Sequence, residues 1–200
     1  VLELVEKKTL KPIKNYEVRK VKTEYGSVVC EVELSEELPT DCSAYYLMNI
    51  TKLPKFEFEN CLVNSHLARG VLVKTRGVKI NNNVFRYCTG TAIHVGAESS
   101  WHEGSHAKDV TITHNMIFGC GSGSGSQAGA SGIAVVIEAP DTDKSFLHDN
   151  ILIRDNMILG EGNDRGIYVG NSSTVKVEGN RVMNCTTDSL NNSVQNMEFR

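Results

Sequence analysis

The sequence predicts an all-β chain: a right-handed parallel β-helix with a small antiparallel β segment at its N-terminus. Three observations lead there. One phrase recurs, at Val78 to Phe85, Val110 to Ile117, Ile151 to Ile158 and Val175 to Val182, as an alternating strand, a polar corner and a second apolar run. The marker residues Asn83, Asn115, Asn156 and Asn180 hold one position in it, and Cys61 holds that position in Phe56 to Val63. Counted from Cys61, the markers lie 22, 32, 41 and 24 residues apart. Unequal periods around equal cores are what stacked units carrying loops of different length produce. The third observation is composition: 40% hydrophobic residues over 200 positions, with only six Phe and one Trp, suits a stacked aliphatic core.

The elements follow in chain order. Residues 1–52 are expected to form the antiparallel segment, part of a small barrel or hairpin domain. Within it, alternating runs from Tyr16 to Val21 and from Val28 to Leu34 flank a turn at Tyr25, Gly26 and Ser27. Residues 53–200 are expected to form the helix coils, opened by Leu53 and Pro54. In each repeat the period of two puts residues such as Val78 and Ile80 on one face, which stacking buries. The marker Asn suits a corner because it tolerates left-handed backbone, and its amide can bond to the units above and below. Cys88, Cys120 and Cys185 each fall five residues after a marker Asn. They are expected to be free thiols in one interior column. Insertions are expected at 96–109, 119–132 and 139–149; the second holds a Gly/Ser tract expected to be mobile. Residues 197–200 match the start of a further repeat, which suggests a chain cut within it.

A net charge of −3, with no Lys/Arg run interleaved with aromatics, argues against nucleic acid as a partner. No stretch approaches the roughly 20 apolar residues of a membrane span, so no membrane insertion is expected. The chain shows no signal peptide and does not begin with Met, consistent with a mature form or a piece of a longer protein.

His102 to His106 matches the zinc-protease pattern HExxH, which works only where a helix brings both His side chains onto one face. Here glycines and serines surround and interrupt it, and a strand begins at Val110, so a protease is not expected. The four residues His94, His102, His106 and His114 lack metal-ligand spacing, and neither a metal nor a cofactor is expected. A better reading of the loop is a sugar cleft. Trp101 offers a ring to the apolar face of a pyranose, with His102 and His94 for its hydroxyls; the alternative is a surface loop whose Trp covers the side of the stack. Glycoside hydrolysis needs two carboxyl groups across the scissile bond. Glu98 and Glu103 from one insertion and Glu138 from the next strand end are the candidates, with Asp141 and Asp143 just beyond. Arg69 and Arg165, each before a Gly, could clamp a hydroxyl or simply cap a turn.

These residues together resemble a known family. The phrases from Ala68 to Val73 and Gly90 to Ile93, Trp101 to Gly104 followed by Asp109 to Ile112, Val136 to Pro140 and His148 to Ile151 resemble the α-galactosidases of glycoside hydrolase family 110. That family cleaves α-1,3-linked galactose. The resemblance runs from about Leu47 to Val182, some two thirds of the chain. It implies a parallel β-helix with a small β-domain, an inverting reaction without metal, and a secreted, periplasmic or cell-surface location. By motif match it carries over Trp101, Glu103 and Glu138. The chain departs from the family in having Ala97 where Gly-Asp is expected ahead of the Trp.

The function expected is thus an exo-acting inverting α-galactosidase, or a fragment of one. It would act with Glu103, Glu138 or Glu98 on a glycan with terminal galactose. The alternative is a non-catalytic β-helix that binds glycans or belongs to a cell-surface assembly. Oligomeric state is left open.

Overall fold

The computed structural model describes residues 1–123, 130–141, 145–161, 165–185 and 187–199, with the backbone alone for 187–197 and 199. The N-terminal part holds strands β1 (Leu2–Glu6), β2 (Pro12–Tyr16), β3 (Val18–Thr23), β4 (Cys30–Leu34) and β5 (Tyr45–Asn49). β1 lies between β2 and β5 in an antiparallel sheet, and β3 and β4 form a separate antiparallel pair. The turn between them passes through Gly26 at φ +79°, in the left-handed region that a glycine enters without steric cost.

After Pro54 each repeat contributes three strands. The first gives β6 (Phe56–Glu59), β7 (Leu62–Asn64) and β8 (Val71–Val73). The second gives β9 (Arg76–Asn81), β10 (Val84–Arg86) and β11 (Ile93–Val95). The third gives β12 (Lys108–Thr113), β13 (Met116–Phe118) and β14 (Ser131–Val135). The fourth gives β15 (Asp149–Arg154), β16 (Met157–Leu159) and the start of β17 (Arg165–Glu178). β18 (Arg181–Met183) and β19 (Thr187–Phe199) follow. Equivalent strands pair in parallel: β7-β10-β13-β16-β18 make one sheet. A second, larger sheet contains β6-β9-β12-β15 and β8-β11-β14, joined through β17, which pairs with both series. β19 extends the register, with Met197 opposite Val175 and Phe199 opposite Val177.

Register and burial coincide. Val78, Val110, Ile151 and Val175 stand opposite one another, as do Ile80, Ile112, Ile153 and Val177. All are buried, in one core with Phe85, Ile117 and Ile158. Each such side chain contributes about 1.5–3 kcal/mol by leaving water, and only the neighbouring repeats provide that shelter.

The polar corners divide two tasks that the sequence reading gave to one residue. The left-handed residue precedes the marker: Asn60 (φ +56°), Asn82 (+56°), His114 (+55°), Asp155 (+54°) and Gly179 (+65°). The marker itself builds the ladder. Asn83 Nδ2 donates to Asn115 Oδ1 at 3.0 Å, Asn115 to Asn156 at 2.9 Å and Asn156 to Asn180 at 2.9 Å. Each of these Oδ1 atoms also accepts a backbone N–H from the preceding marker, and each Nδ2 also reaches a strand carbonyl. Cys61 needs no amide, because it begins the ladder by donating its N–H to Asn83 Oδ1.

None of the six cysteines is in a disulfide, and Cys88 and Cys120 stack in the interior, where the Cys88 N–H donates to Cys120 Sγ at 3.4 Å. Of the anticipated insertions, residues 124–129 of the Gly/Ser tract, and Asp143 in the third, lie outside the described residues.

The N-terminal sheet packs where the site lies. Val5 and Leu10 share a small core with Ala97, Ile137 and Ala139, with Tyr46 and Met48 against them. Ser99 Oγ donates to the Lys7 carbonyl at 2.6 Å, and Arg76 reaches Glu3 at 3.4 Å.

Candidate functional site

Stacked strands deliver the first two acids. Val95 is opposite Val135, and three residues further on Glu98 bridges Glu138 in parallel. On its other side Glu98 pairs antiparallel with Glu103, each N–H donating to the other's carbonyl at 3.0 and 3.1 Å. The turn between them closes with the His102 N–H on the Ser99 carbonyl and puts His102 at φ +55°. The segment is therefore a tight hairpin, not the helix that a zinc-protease motif requires. Glu103 and Glu138 flank Glu98, their backbones about 10 Å apart at two strand spacings.

Two cations bind the acids together. Arg69, one residue before Gly70, approaches Glu98 Oε1 at 3.0 Å and Glu138 Oε1 at 3.5 Å. Lys74, just past β8, reaches Glu98 Oε2 at 2.9 Å and Glu103 Oε2 at 2.7 Å. Glu98 is 3% exposed and holds both cations, whereas the Glu103 side chain is half exposed. The environments of the outer pair differ in sign. Burial, and next the Glu98 charge, push the Glu138 carboxyl above the usual carboxylate range. The hydrogen bond from Lys74, and next its charge, hold the Glu103 carboxyl below that range.

His94 lies beneath this network, fully buried, with neither ring nitrogen hydrogen-bonded and its Nε2 3.9 Å from Glu138 Oε1. Burial, then Arg69 and Lys74, lower it to about 3, so the ring is neutral at ordinary pH. Gly96 is what lets the ring sit there: a Cβ at that position would meet the Val136 carbonyl and stand 2.9 Å from His94 Nε2. The ligand atoms of His94, Glu98 and Glu138 lie within 4.8 Å of one another and could hold a metal. Both oxygens of Glu98 already face a cation, however, so the local charge is met by Arg69 and Lys74.

A cleft of about 190 Å³ lies between β5 and the hairpin, lined by Tyr46, Met48, Glu98, His102 and Glu103 among others, so Glu98 and Glu103 are the members of the network that reach it. Tyr46 comes from β5. Its hydroxyl donates to the Ser99 carbonyl at 3.1 Å, and its ring lies 5.1 Å from that of His102. Of the residues the sequence nominates, Glu98, Glu103, Glu138, Arg69 and His94 thus meet in one network, and His102 joins the cleft wall. Trp101 sits at the hairpin tip, 70% exposed. Arg165 is elsewhere: it is opposite Ser131 at the start of β17 and lies over the Tyr168 ring at 5.6 Å. Sequence reasoning missed Lys74 and Tyr46. Lys74 carried a signal, since a charged residue directly after the apolar run Val71 to Val73 sits at a strand end, in the stretch from which the acids of the neighbouring repeats also project. Tyr46 carried none, because the docking of β5 on the hairpin depends on contacts remote in sequence.

The chain that builds this geometry is similar to α-1,3-galactosidases. It is 37% identical over 129 residues to Alpha-1,3-galactosidase B of Bacteroides thetaiotaomicron, covering 62% of this chain and 21% of that protein. It is 30% identical over 167 residues to Alpha-1,3-galactosidase A of Bacteroides fragilis, covering 75% and 26%. The chain thus spans about a fifth to a quarter of the length of these curated relatives. No family model matches it.

Proposed function

We propose that the chain carries the acid–base site of an exo-acting α-galactosidase, built on a right-handed parallel β-helix whose three strand columns are the pairings described above. The observation that carries this reading is that Glu103 and Glu138, on the two sides of Glu98, are driven in opposite directions by their surroundings. Two carboxyls with separated proton affinities are what glycoside hydrolysis uses. Glu138, whose carboxyl holds its proton more tightly than a free one, gives that proton to the departing glycosidic oxygen. Glu103, kept ionised by Lys74, takes a proton from the attacking water. Glu98 orients Arg69 and Lys74 and maintains the negative field that favours the protonated form of Glu138.

The spacing supports inversion. Inverting pairs stand about 6.5–9.5 Å apart to admit a water. A carboxylate oxygen of Glu98 lies within 4.8 Å of one of Glu138, too close for that water, whereas Glu103 and Glu138 spring from backbones about 10 Å apart. A terminal galactose of a glycan is the proposed substrate, with His102 in the cleft wall and Trp101 at the tip of the same hairpin, consistent with the activity named for the two relatives.

A second reading has its own observation. Ala97, buried against the N-terminal sheet, stands where the family resemblance expects an acid, which favours glycan binding without hydrolysis. The test is galactose release from galactosyl-α-1,3-galactose by the full chain and by Glu103→Gln and Glu138→Gln. Hydrolysis that falls by about 100-fold or more in each variant supports the acid–base site. Binding with no release by the unaltered chain establishes the second reading.

A further inference from the structure

A groove of about 390 Å³ lies away from the acidic cleft, on the outer face of the sheet formed by β10, β13 and β16. Its walls include Arg86, Tyr87, Met116, Phe118, Leu159 and Glu161. Tyr87 breaks the pattern of its column. The equivalent residues are Ser65 (φ +54°), Gly119 (+53°), Gly160 and Asn184 (+54°), all small or polar, which suits left-handed backbone. Tyr87 adopts φ +52° with a bulky ring that is 48% exposed. Such a conformation persists only where the surroundings impose it, and it concentrates at sites of function.

The surroundings are shaped for that ring. Gly119 leaves the space: a Cβ there would stand 2.9 Å from Glu161 Oε1 and 3.0 Å from the Tyr87 ring. The Arg86 guanidinium is 5.6 Å from the ring centroid. The result is an aromatic ring with the Arg86 guanidinium over it, the Glu161 carboxylate close to Gly119, and an apolar floor of Met116 (41% exposed) and Leu159 (38% exposed).

We propose that this groove is a second carbohydrate site, binding a neutral pyranose unit of a glycan by stacking on Tyr87. The chemistry selects the ligand. Hydroxyl groups both donate and accept, matching Arg86 beside Glu161, and the C–H face of a pyranose suits the ring and its apolar floor. An extended peptide is disfavoured, because β10, β13 and β16 are each paired on both sides and offer no edge for strand addition. The choice of a galactose-containing glycan rests on the reading under Proposed function; the site itself does not.

Methionine methyl groups provide separate reporters, since Met48 lines the acidic cleft and Met116 the groove. The full chain with [13C-methyl]methionine is titrated with galactosyl-α-1,3-galactose and followed by NMR. A saturable shift of Met116 is expected, weakened about tenfold or more by Tyr87→Gly, a loss in the range of an aromatic contact, and kept in Tyr87→Phe. Tyr87→Gly relieves the left-handed strain, so Tm holds or rises. A Met116 resonance that does not move, or whose shift survives Tyr87→Gly, overturns the proposal. A silent Met48 with a responsive Met116 refutes the cleft reading and leaves the groove standing.

Discussion

Asn115→Ala tests why the repeats stack. Asn115 is fully buried in the ladder. Its Nδ2 donates to Asn156 Oδ1 and to the Ile80 carbonyl, and its Oδ1 accepts the backbone N–H and the side-chain amide of Asn83. Alanine leaves the Asn83 N–H without its acceptor and deprives the Ile80 carbonyl of this donor. Asn83 Nδ2 keeps Phe58 O, and Asn156 Oδ1 keeps the backbone N–H of residue 115. Two deprived groups in a dry interior cost about 1–3 kcal/mol each, so a loss of about 2–6 kcal/mol is expected. That is a large part of a typical domain's stability. Exposed Asn82, whose side-chain amide donates to Asn60, is the control, and Asn82→Ala carries none of this burial cost. Urea unfolding followed by circular dichroism reads both. If Asn115→Ala loses under about 1 kcal/mol, or no more than Asn82→Ala, the ladder is not what fixes the corners.

Acid should unfold the protein through its buried histidines. His148 is fully buried; its Nδ1 accepts the Ala107 N–H, and its Nε2 donates to the Val136 carbonyl. A second ring proton would break the first bond, and burial lowers the group to about 4. The unfolded chain then binds the extra proton first, so stability falls as pH drops from about 6.5 through about 4, by about 3 kcal/mol for this group. Thermal melts between pH 7 and pH 4 check it; a Tm that stays flat in that window would contradict it. Burial pushes the Cys120 thiol up to about 12, so a thiol reagent at neutral pH should label exposed Cys30 and Cys42 well before Cys120 or Cys88. Timed labelling read by mass spectrometry that shows Cys120 reacting as fast as Cys42 would refute the packing.

Much of this architecture could be read directly from the sequence. The repeated phrase located every strand of one column and most of the second, because a period of two and a fixed corner are local properties. The register of Glu98 with Glu138, each three residues past a buried valine of stacked strands, came from the structure, since the sequence reading placed them only in neighbouring loops. Other features depended on contacts between distant residues. That the left-handed corner is one residue ahead of the marker Asn is a backbone fact, invisible where Asn60 and Cys61, or Asn82 and Asn83, both suit a turn. Arg165 looked equivalent to Arg69 because both precede a glycine. They share a register in one strand series, but Arg165 belongs to a later repeat and lies over Tyr168. Lys74 was passed over because a lone lysine is ordinarily solvated, and only the folded hairpin shows it holding two carboxylates.

The roles proposed for Glu138 and Glu103 can be separated by varying the leaving group. A galactoside whose aglycone is an acidic phenol departs without a proton, so only the natural disaccharide needs an acid. The account predicts that Glu138→Gln loses galactose release from galactosyl-α-1,3-galactose but keeps most of its rate on a dinitrophenyl galactoside. Glu103→Gln loses both. Equal losses on the two substrates in Glu138→Gln, or a Glu103→Gln variant as fast as the unaltered chain, would contradict it.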